Sequence, residues 1–99
     1  MNTRTKHTQI DQATRKIVNQ RDKHCIFCGM GTHLQVMHYI PRSKGGLGIE
    51  ENLALGCLWC HQKLDQSTMR NYMLEWFSRY LTSYYPDFPD DLRVYKKGS

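Results

Sequence analysis

The amino-acid sequence predicts a small α+β domain. Three observations support this prediction. The chain has 99 residues, a size at which folding buries only about 60–65% of the surface of the unfolded chain. Short stretches show the alternation of a strand and longer ones the period of a helix. Four cysteines form two C-x-x-C pairs, a spacing typical of metal sites. A single domain over residues 1–99 is therefore expected, with a structural metal supplementing a thin apolar core.

The first predicted element is a helix over residues 8–21. Thr8 and Asp11 resemble a capping box at its start. The helix has an apolar stripe of Ile10, Ala13, Ile17 and Val18. Arg15 and Lys16 lie on its other faces, where solvated charge is the default interpretation and contact with phosphates is the functional one.

The central segment, residues 25–65, is predicted to contain two cysteine knuckles joined by a strand, a loop and a second strand. The stretch LQVMHYI alternates like a half-buried strand that ends at Pro41. The loop RSKGGLGIEE is basic, and its glycines Gly45, Gly46 and Gly48 are interpreted as letting the backbone approach a phosphate closely. A flexible surface loop is the alternative. The second strand, NLALGC, leads into a knuckle that continues as a helix.

The last predicted element is an amphipathic helix over residues 67–85. Apolar and aromatic residues recur from Met69 to Tyr84 at positions i, i+3, i+4, i+7 and onward. At this spacing an aromatic row is more typical of a core than of a base-stacking surface. Pro86 ends the helix, and residues 86–99 are predicted to form a polar tail.

The cysteine pairs predict a structural zinc ion bound by Cys25, Cys28, Cys57 and Cys60. Four thiolates complete a tetrahedral site and leave no open position for a substrate. Disulfides are disfavoured because residues 1–20 contain no apolar stretch of the kind found in secretory signals. No segment has the roughly 20 apolar residues that a membrane span requires, and a cytoplasmic location is expected.

The formal net charge of +5 is unevenly distributed. Residues 1–44 carry eight Lys or Arg and two acidic residues, whereas residues 45–99 carry six and seven. A phosphate backbone is the expected partner of such a basic half. The alternative is that these cations only keep a small protein soluble.

The segment 25–65 resembles the HNH endonucleases. The matching stretches are CIFCG, HYIPRSKGG, EENLALGC and CLWCH, in the family's order. The variants RSKGGLGIEEN and CHQKLDQS look like those of small phage-associated members. The resemblance implies a ββα-metal module inserted in a treble-clef-like pair of knuckles, with N- and C-terminal helices flanking it. It places the three residues that name the family at His38, Asn52 and His61.

The resemblance implies metal-dependent cleavage of double-stranded DNA. The basic loop shows no pattern that would recognise bases, so weak sequence preference is expected. His38 is the expected general base, since imidazole accepts a proton near neutral pH. Asn52 would orient His38 or the backbone that supports it. His61 and Asp65 are four residues apart, on one helix face, and would hold one catalytic divalent cation, either magnesium, manganese or nickel.

Cations near the expected base are candidate DNA contacts. Arg42 and Lys44 follow His38 in the basic loop, and Arg15 and Lys16 belong to the first helix. We expect these four side chains to meet mainly phosphates rather than base edges.

Met37 departs from the family's pattern, because many members have Asp or His there as a further metal ligand. A thioether is a poor ligand for magnesium, so the site either binds metal weakly or has lost catalysis. Two alternatives to an enzyme follow. One is a non-catalytic zinc module that binds nucleic acid, and the other is an interaction module for a phage packaging protein. A monomer or weak dimer is expected.

Overall fold

The computed structural model describes residues 3–96 and has a two-stranded antiparallel sheet with helices on both sides. The predicted α+β class is confirmed. The elements are α1 (Thr3–Thr8), α2 (Gln12–Asp22), β1 (Leu34–His38), β2 (Leu53–Cys57), α3 (Leu58–Gln66) and α4 (Arg70–Tyr84). Short 3-10 turns lie at Arg42–Lys44, Glu50–Asn52 and Asp90–Arg93. Within the described residues, no helix is long and apolar enough to cross a membrane.

The predicted helix over residues 8–21 is wrong at its start. The chain forms α1 up to Thr8, bends, and begins α2 only after Asp11. Asp11 has extended backbone angles, and its carboxylate accepts a 2.7 Å hydrogen bond from the Thr14 N–H. A short acidic side chain in this position satisfies one of the free N–H groups of the first turn. Asp11 is therefore the helix cap, rather than the residue that completes a cap at Thr8.

The sheet joins β1 to β2, with His38 opposite Leu53 and Leu34 opposite Cys57. Successive residues of a strand face opposite sides, and both sides are covered. Met37 is fully buried in the cluster that contains residues of α3 and α4. Val36 packs on the other side, against the cluster of Leu53, Leu55 and Val18 of α2. Strand β1 ends at His38, two residues before the end of the predicted strand.

The buried glycines of the loop after β1 pack against the protein's own backbone. A Cβ atom at Gly46 would lie 1.6 Å from the Ile40 carbonyl oxygen, and one at Gly48 would lie 2.0 Å from that of Gln9. Gly45 is also buried. The interpretation that these glycines let the backbone approach a phosphate is therefore corrected, because Gly46 and Gly48 are needed for close packing against the protein's own backbone and Gly45 for a left-handed turn.

Helix α4 is shorter than the predicted 67–85, and the segment after it contacts the rest of the domain instead of forming a free tail. Met73, Phe77 and Leu81 of α4 are buried, as an amphipathic helix requires. Beyond it, Val94 forms an antiparallel bridge with Gly46. The loop that follows His38 is thereby held from two sides, by this segment and by the segment around Gln9.

Candidate metal centre and active-site cleft

The four cysteines form a cluster with the dimensions of a tetrahedral metal site. Their sulfur atoms all lie within 4.8 Å of one another, and the Sγ atoms of Cys28 and Cys57 are 3.7 Å apart. Zinc–sulfur bonds of about 2.3 Å in tetrahedral geometry give sulfur separations of about 3.8 Å. All four cysteines are free rather than paired as disulfides. The donor set therefore fits zinc.

The knuckle backbone favours a thiolate at Cys25, whereas burial and the neighbouring cysteine sulfurs raise the pKa of Cys60. Burial alone would raise the pKa of the Cys25 thiol, but backbone N–H groups of Cys28, Cys57 and Phe27 stabilise its thiolate and lower the pKa to about 7. Cys57 caps α3 by accepting a hydrogen bond from the Cys60 N–H. Cys57 and Cys60, two of the four candidate ligands, thus belong to β2 and to the first turn of α3.

A separate open cleft of about 460 Å³ lies between α2, the end of β1, the following turn, α3 and the start of α4. It brings together three residues that the sequence predicted to carry the chemistry: His38, His61 and Asp65. Three arginines also line it, namely Arg15, Arg42 and Arg70. Imidazole, carboxylate and guanidinium groups therefore share one solvent-accessible wall.

Two of the predicted DNA contacts lie outside the set of described residues that line this cleft. Lys16 lines a shallower groove on α2, which it shares with Arg15. Lys44 is exposed at the end of the turn that contains Arg42. Both lysines border the cleft region rather than its interior.

His38 lies at the end of β1 and is held by a residue from outside the segment 25–65. Its Nε2 is 3.0 Å from the Thr8 carbonyl oxygen. A carbonyl only accepts, so Nε2 carries the proton and Nδ1 of the neutral ring has the free lone pair. Burial lowers the pKa of His38, and the nearby charges of Arg42 and Arg15 lower it further against the opposing effect of the Thr8 carbonyl. The ring is therefore kept in the form that can accept a proton.

Asn52 is fully buried and joins the two ends of the loop after β1. Its Oδ1 accepts a hydrogen bond from the Ile40 N–H at 2.9 Å, and its Nδ2 donates to the carbonyls of Ile40 at 3.2 Å and Leu47 at 2.9 Å. The Tyr39 N–H donates to the Asn52 carbonyl at 2.8 Å. Asn52 therefore contacts the backbone of the two residues directly after His38.

His61 and Asp65 lie one turn apart on α3, as their spacing predicts. Nε2 of His61 is 3.4 Å from Oδ2 of Asp65. Two ligands at about 2.1 Å from one cation, at right angles, are about 3.0 Å apart, so the pair can share a divalent cation with little adjustment. Of the described residues, only the four cysteines bring three or more His, Cys or acidic ligands together. A cation bound by His61 and Asp65 would therefore have few protein ligands.

Met37 cannot act as a ligand here, because it is buried in the core. Sequence reasoning missed three neighbours of the site: Gln35, whose Oε1 is 2.6 Å from Nδ1 of His61, Arg70, and the Thr8 carbonyl. Because side chains alternate along β1, Gln35 lies on the same face as Met37. The sequence therefore contained a signal for the position of Gln35. No local pattern indicates that Arg70 lines the cleft or that the Thr8 carbonyl contacts His38.

A two-stranded antiparallel sheet followed by a helix, beside a four-cysteine cluster that fits zinc, defines a small α+β domain with a candidate metal site. The family model described as HNH endonuclease matches residues 25–67, so the resemblance predicted from the sequence is confirmed over this segment. No curated protein matches the chain. The family match indicates a function in nuclease action or nucleic-acid binding.

Proposed function

We propose that the protein is a metal-dependent endonuclease that hydrolyses phosphodiester bonds in double-stranded DNA. The observation that carries this proposal is the cleft in which His38, His61 and Asp65 lie between three arginines. Such a cleft offers a base, a pair of metal ligands and phosphate-binding cations within one volume. Zinc bound by the four cysteines has a structural role in this proposal.

His38 acts as the general base. Its lowered pKa keeps the imidazole neutral near pH 7, and the hydrogen bond to the Thr8 carbonyl leaves Nδ1 to take a proton from water. Asn52 is a positioning residue, because its amide holds the backbone of Ile40 immediately beyond the base. Neither role requires a large movement of the chain.

His61 and Asp65 would hold the catalytic divalent cation, with magnesium, manganese and nickel as the candidates. When bound, this cation supplies charge neutralisation at the scissile phosphate and at the departing oxygen. With two protein ligands, most of its coordination is left to water and phosphate oxygens. We expect correspondingly weak metal binding by the protein alone.

Arg15, Arg42 and Arg70 approach the cleft from three different elements. Guanidinium groups form bidentate hydrogen bonds with phosphate oxygens, so these side chains can hold the backbone on both sides of the scissile bond. Lys16 and Lys44 extend the cationic surface outward. Contacts of this kind are independent of sequence, and weak sequence preference is expected.

The test is cleavage of supercoiled plasmid in EDTA and after addition of magnesium, manganese or nickel. His38→Ala is compared with the wild type, and His24→Ala is the matched control because that side chain is exposed and outside the lining of the cleft. We expect metal-dependent nicking that His38→Ala abolishes and His24→Ala retains, with equal zinc content in all three proteins. Full activity of His38→Ala would refute the proposed base.

A non-catalytic module that binds nucleic acid is the second candidate. The burial of Met37 favours it, since this leaves two ligands at the second metal position. It predicts binding that weakens steeply with salt and no nicking with any metal. The packaging alternative is supported only by side chains such as Tyr72 and Trp76, which are 69% and 48% exposed. Phage association, oligomeric state and cytoplasmic location stay predictions.

A further inference from the structure

Gln35 contacts His61 from the neighbouring strand and has no role in the mechanism above. Its Oε1 lies 2.6 Å from Nδ1 of His61. An amide oxygen is an acceptor only, so Nδ1 carries the proton and donates it to Gln35. We propose that Gln35 is a positioning residue that fixes the tautomer and the ring orientation of His61, so that Nε2 presents its lone pair to the divalent cation. This inference rests on the proposed function.

Asp65 alone would favour the wrong tautomer. Its carboxylate lies 3.4 Å from Nε2 of His61, and a carboxylate only accepts hydrogen bonds when ionised. Without a second acceptor, the ring would gain most by placing its proton on Nε2 and directing it at Asp65. That proton would occupy the position that the cation needs. The acceptor on Gln35 provides the competing interaction at Nδ1, and partners of this kind commonly orient metal-binding histidines.

The position of Gln35 in β1 explains how it reaches α3. It lies two residues before Met37 on the same face of the strand, and Met37 anchors that face in the core. Gln35 pairs with Gly56 on β2, where a Cβ atom would lie 2.3 Å from Sδ of Met37. Met37, which stands where many family members have a metal ligand, thus serves the packing of the strand. Gln35, two positions earlier, contacts His61.

The tautomer can be measured directly by the ¹⁵N shifts of the His61 ring in zinc-loaded protein without a second metal. We expect the proton on Nδ1 in the wild type and a shift toward Nε2 in Gln35→Leu, which keeps the bulk and removes the acceptor. Gln35→Glu restores an acceptor and should restore the wild-type pattern. Gln62→Leu is the matched control, because Gln62 is exposed on the same helix. An unchanged tautomer in Gln35→Leu would overturn the inference.

Calorimetric titration with manganese separates this inference from the function on which it rests. We expect one manganese site in the wild type, no such site in His61→Ala, and affinity lowered about 10- to 100-fold in Gln35→Leu. Wild-type affinity in Gln35→Leu, with binding still lost in His61→Ala, would overturn the role of Gln35 and leave the metal site intact. Equal binding by the wild type and His61→Ala would overturn the metal role of both residues.

Discussion

The position of His38 in the fold determines its protonation state, because burial and nearby charges lower its pKa. The imidazole has Arg42 and Arg15 as near neighbours, and both oppose a positive charge on the ring. Its hydrogen bond to the Thr8 carbonyl is compatible with the neutral form and satisfies the one N–H group. A base that is already neutral and oriented needs no proton loss before the reaction.

The acid limb of the cleavage rate should therefore lie below the ordinary histidine value of 6.5. Because burial and nearby cations lower the pKa of His38, the base stays neutral, and the rate stays high, to a lower pH than for an exposed histidine. Arg42→Gln removes one of these cations and should move the midpoint upward. The measurement is the single-turnover rate constant of cleavage as a function of pH at saturating metal. A wild-type midpoint above 6.5 would contradict the prediction.

Asn52→Ala should destabilise the protein by about 2–4 kcal/mol, because it leaves the buried polar groups of Ile40 and the Leu47 carbonyl without their partners. Urea unfolding of the zinc-loaded protein measures the loss. Asn71→Ala is the control: this asparagine is exposed on α4, and its replacement should change stability by no more than about 0.5 kcal/mol. Equal stabilities of the two variants would show that the Asn52 bonds contribute little.

At the scale of elements, the loop after β1 is the part of the site that depends most on distant segments. The Gly48 N–H donates to the His7 carbonyl at 3.0 Å, and the Tyr95 N–H donates to the Gly45 carbonyl at 2.8 Å. The rings of His7 and Tyr95 stack with centroids 5.2 Å apart. The segments on either side of the loop therefore contact each other as well as the loop.

Gly48→Ala should reduce cleavage by displacing the segment that holds His38. The added Cβ would lie 2.0 Å from the Gln9 carbonyl oxygen, a distance that only movement of the backbone can relieve. We expect a loss of about 1–3 kcal/mol in stability and a lower kcat. Unfolding and single-turnover cleavage check the two effects.

Gly31→Ala provides the comparison for this variant. Its Cβ would meet only the flexible side chain of His24, at 3.1 Å, and both stability and cleavage should be close to those of the wild type. A Gly48→Ala protein with unchanged kcat would show that the backbone next to Thr8 does not position the base.

The elements differ in how far the sequence could predict them. Period alone was enough to identify β1 and α4, although not their ends, because Met37 of β1 and Met73, Phe77 and Leu81 of α4 face the core. The start of α2 was missed, since Thr8 and Asp11 are both acceptable caps and only the tertiary path of α1 decides between them. The role of Gly48 was misread, because a glycine that is needed for close packing looks the same in the sequence as one that is needed for flexibility.

At the scale of the whole molecule, the cysteine cluster joins the parts that apolar packing alone would hold weakly. Cys25 and Cys28 belong to the knuckle before β1, while Cys57 and Cys60 join β2 to α3. The Ile26 N–H also donates to the Leu55 carbonyl, which ties the knuckle to the sheet. The family's motifs predicted this site well, since the ligands are identified by spacing and residue type.

Removal of zinc should therefore unfold the domain. In a small metal-supported fold the free energy of metal binding contributes directly to the free energy of folding. We expect phenanthroline to abolish the circular dichroism signal of the helices, Cys57→Ser to behave in the same way, and His61→Ala to remain folded with full zinc content. A chelated protein that keeps its helical signal would show that the apolar core is sufficient.

The bridge between Gly46 and Val94 joins positions far apart in the sequence. Synthesis on the ribosome proceeds from the N-terminus, so β1, β2 and the four cysteines emerge well before Val94 does. Until then the loop beyond His38 lacks one of its two supports. We therefore expect the loop beside the cleft to reach its complete form late in translation, after the four cysteines are already available to bind zinc.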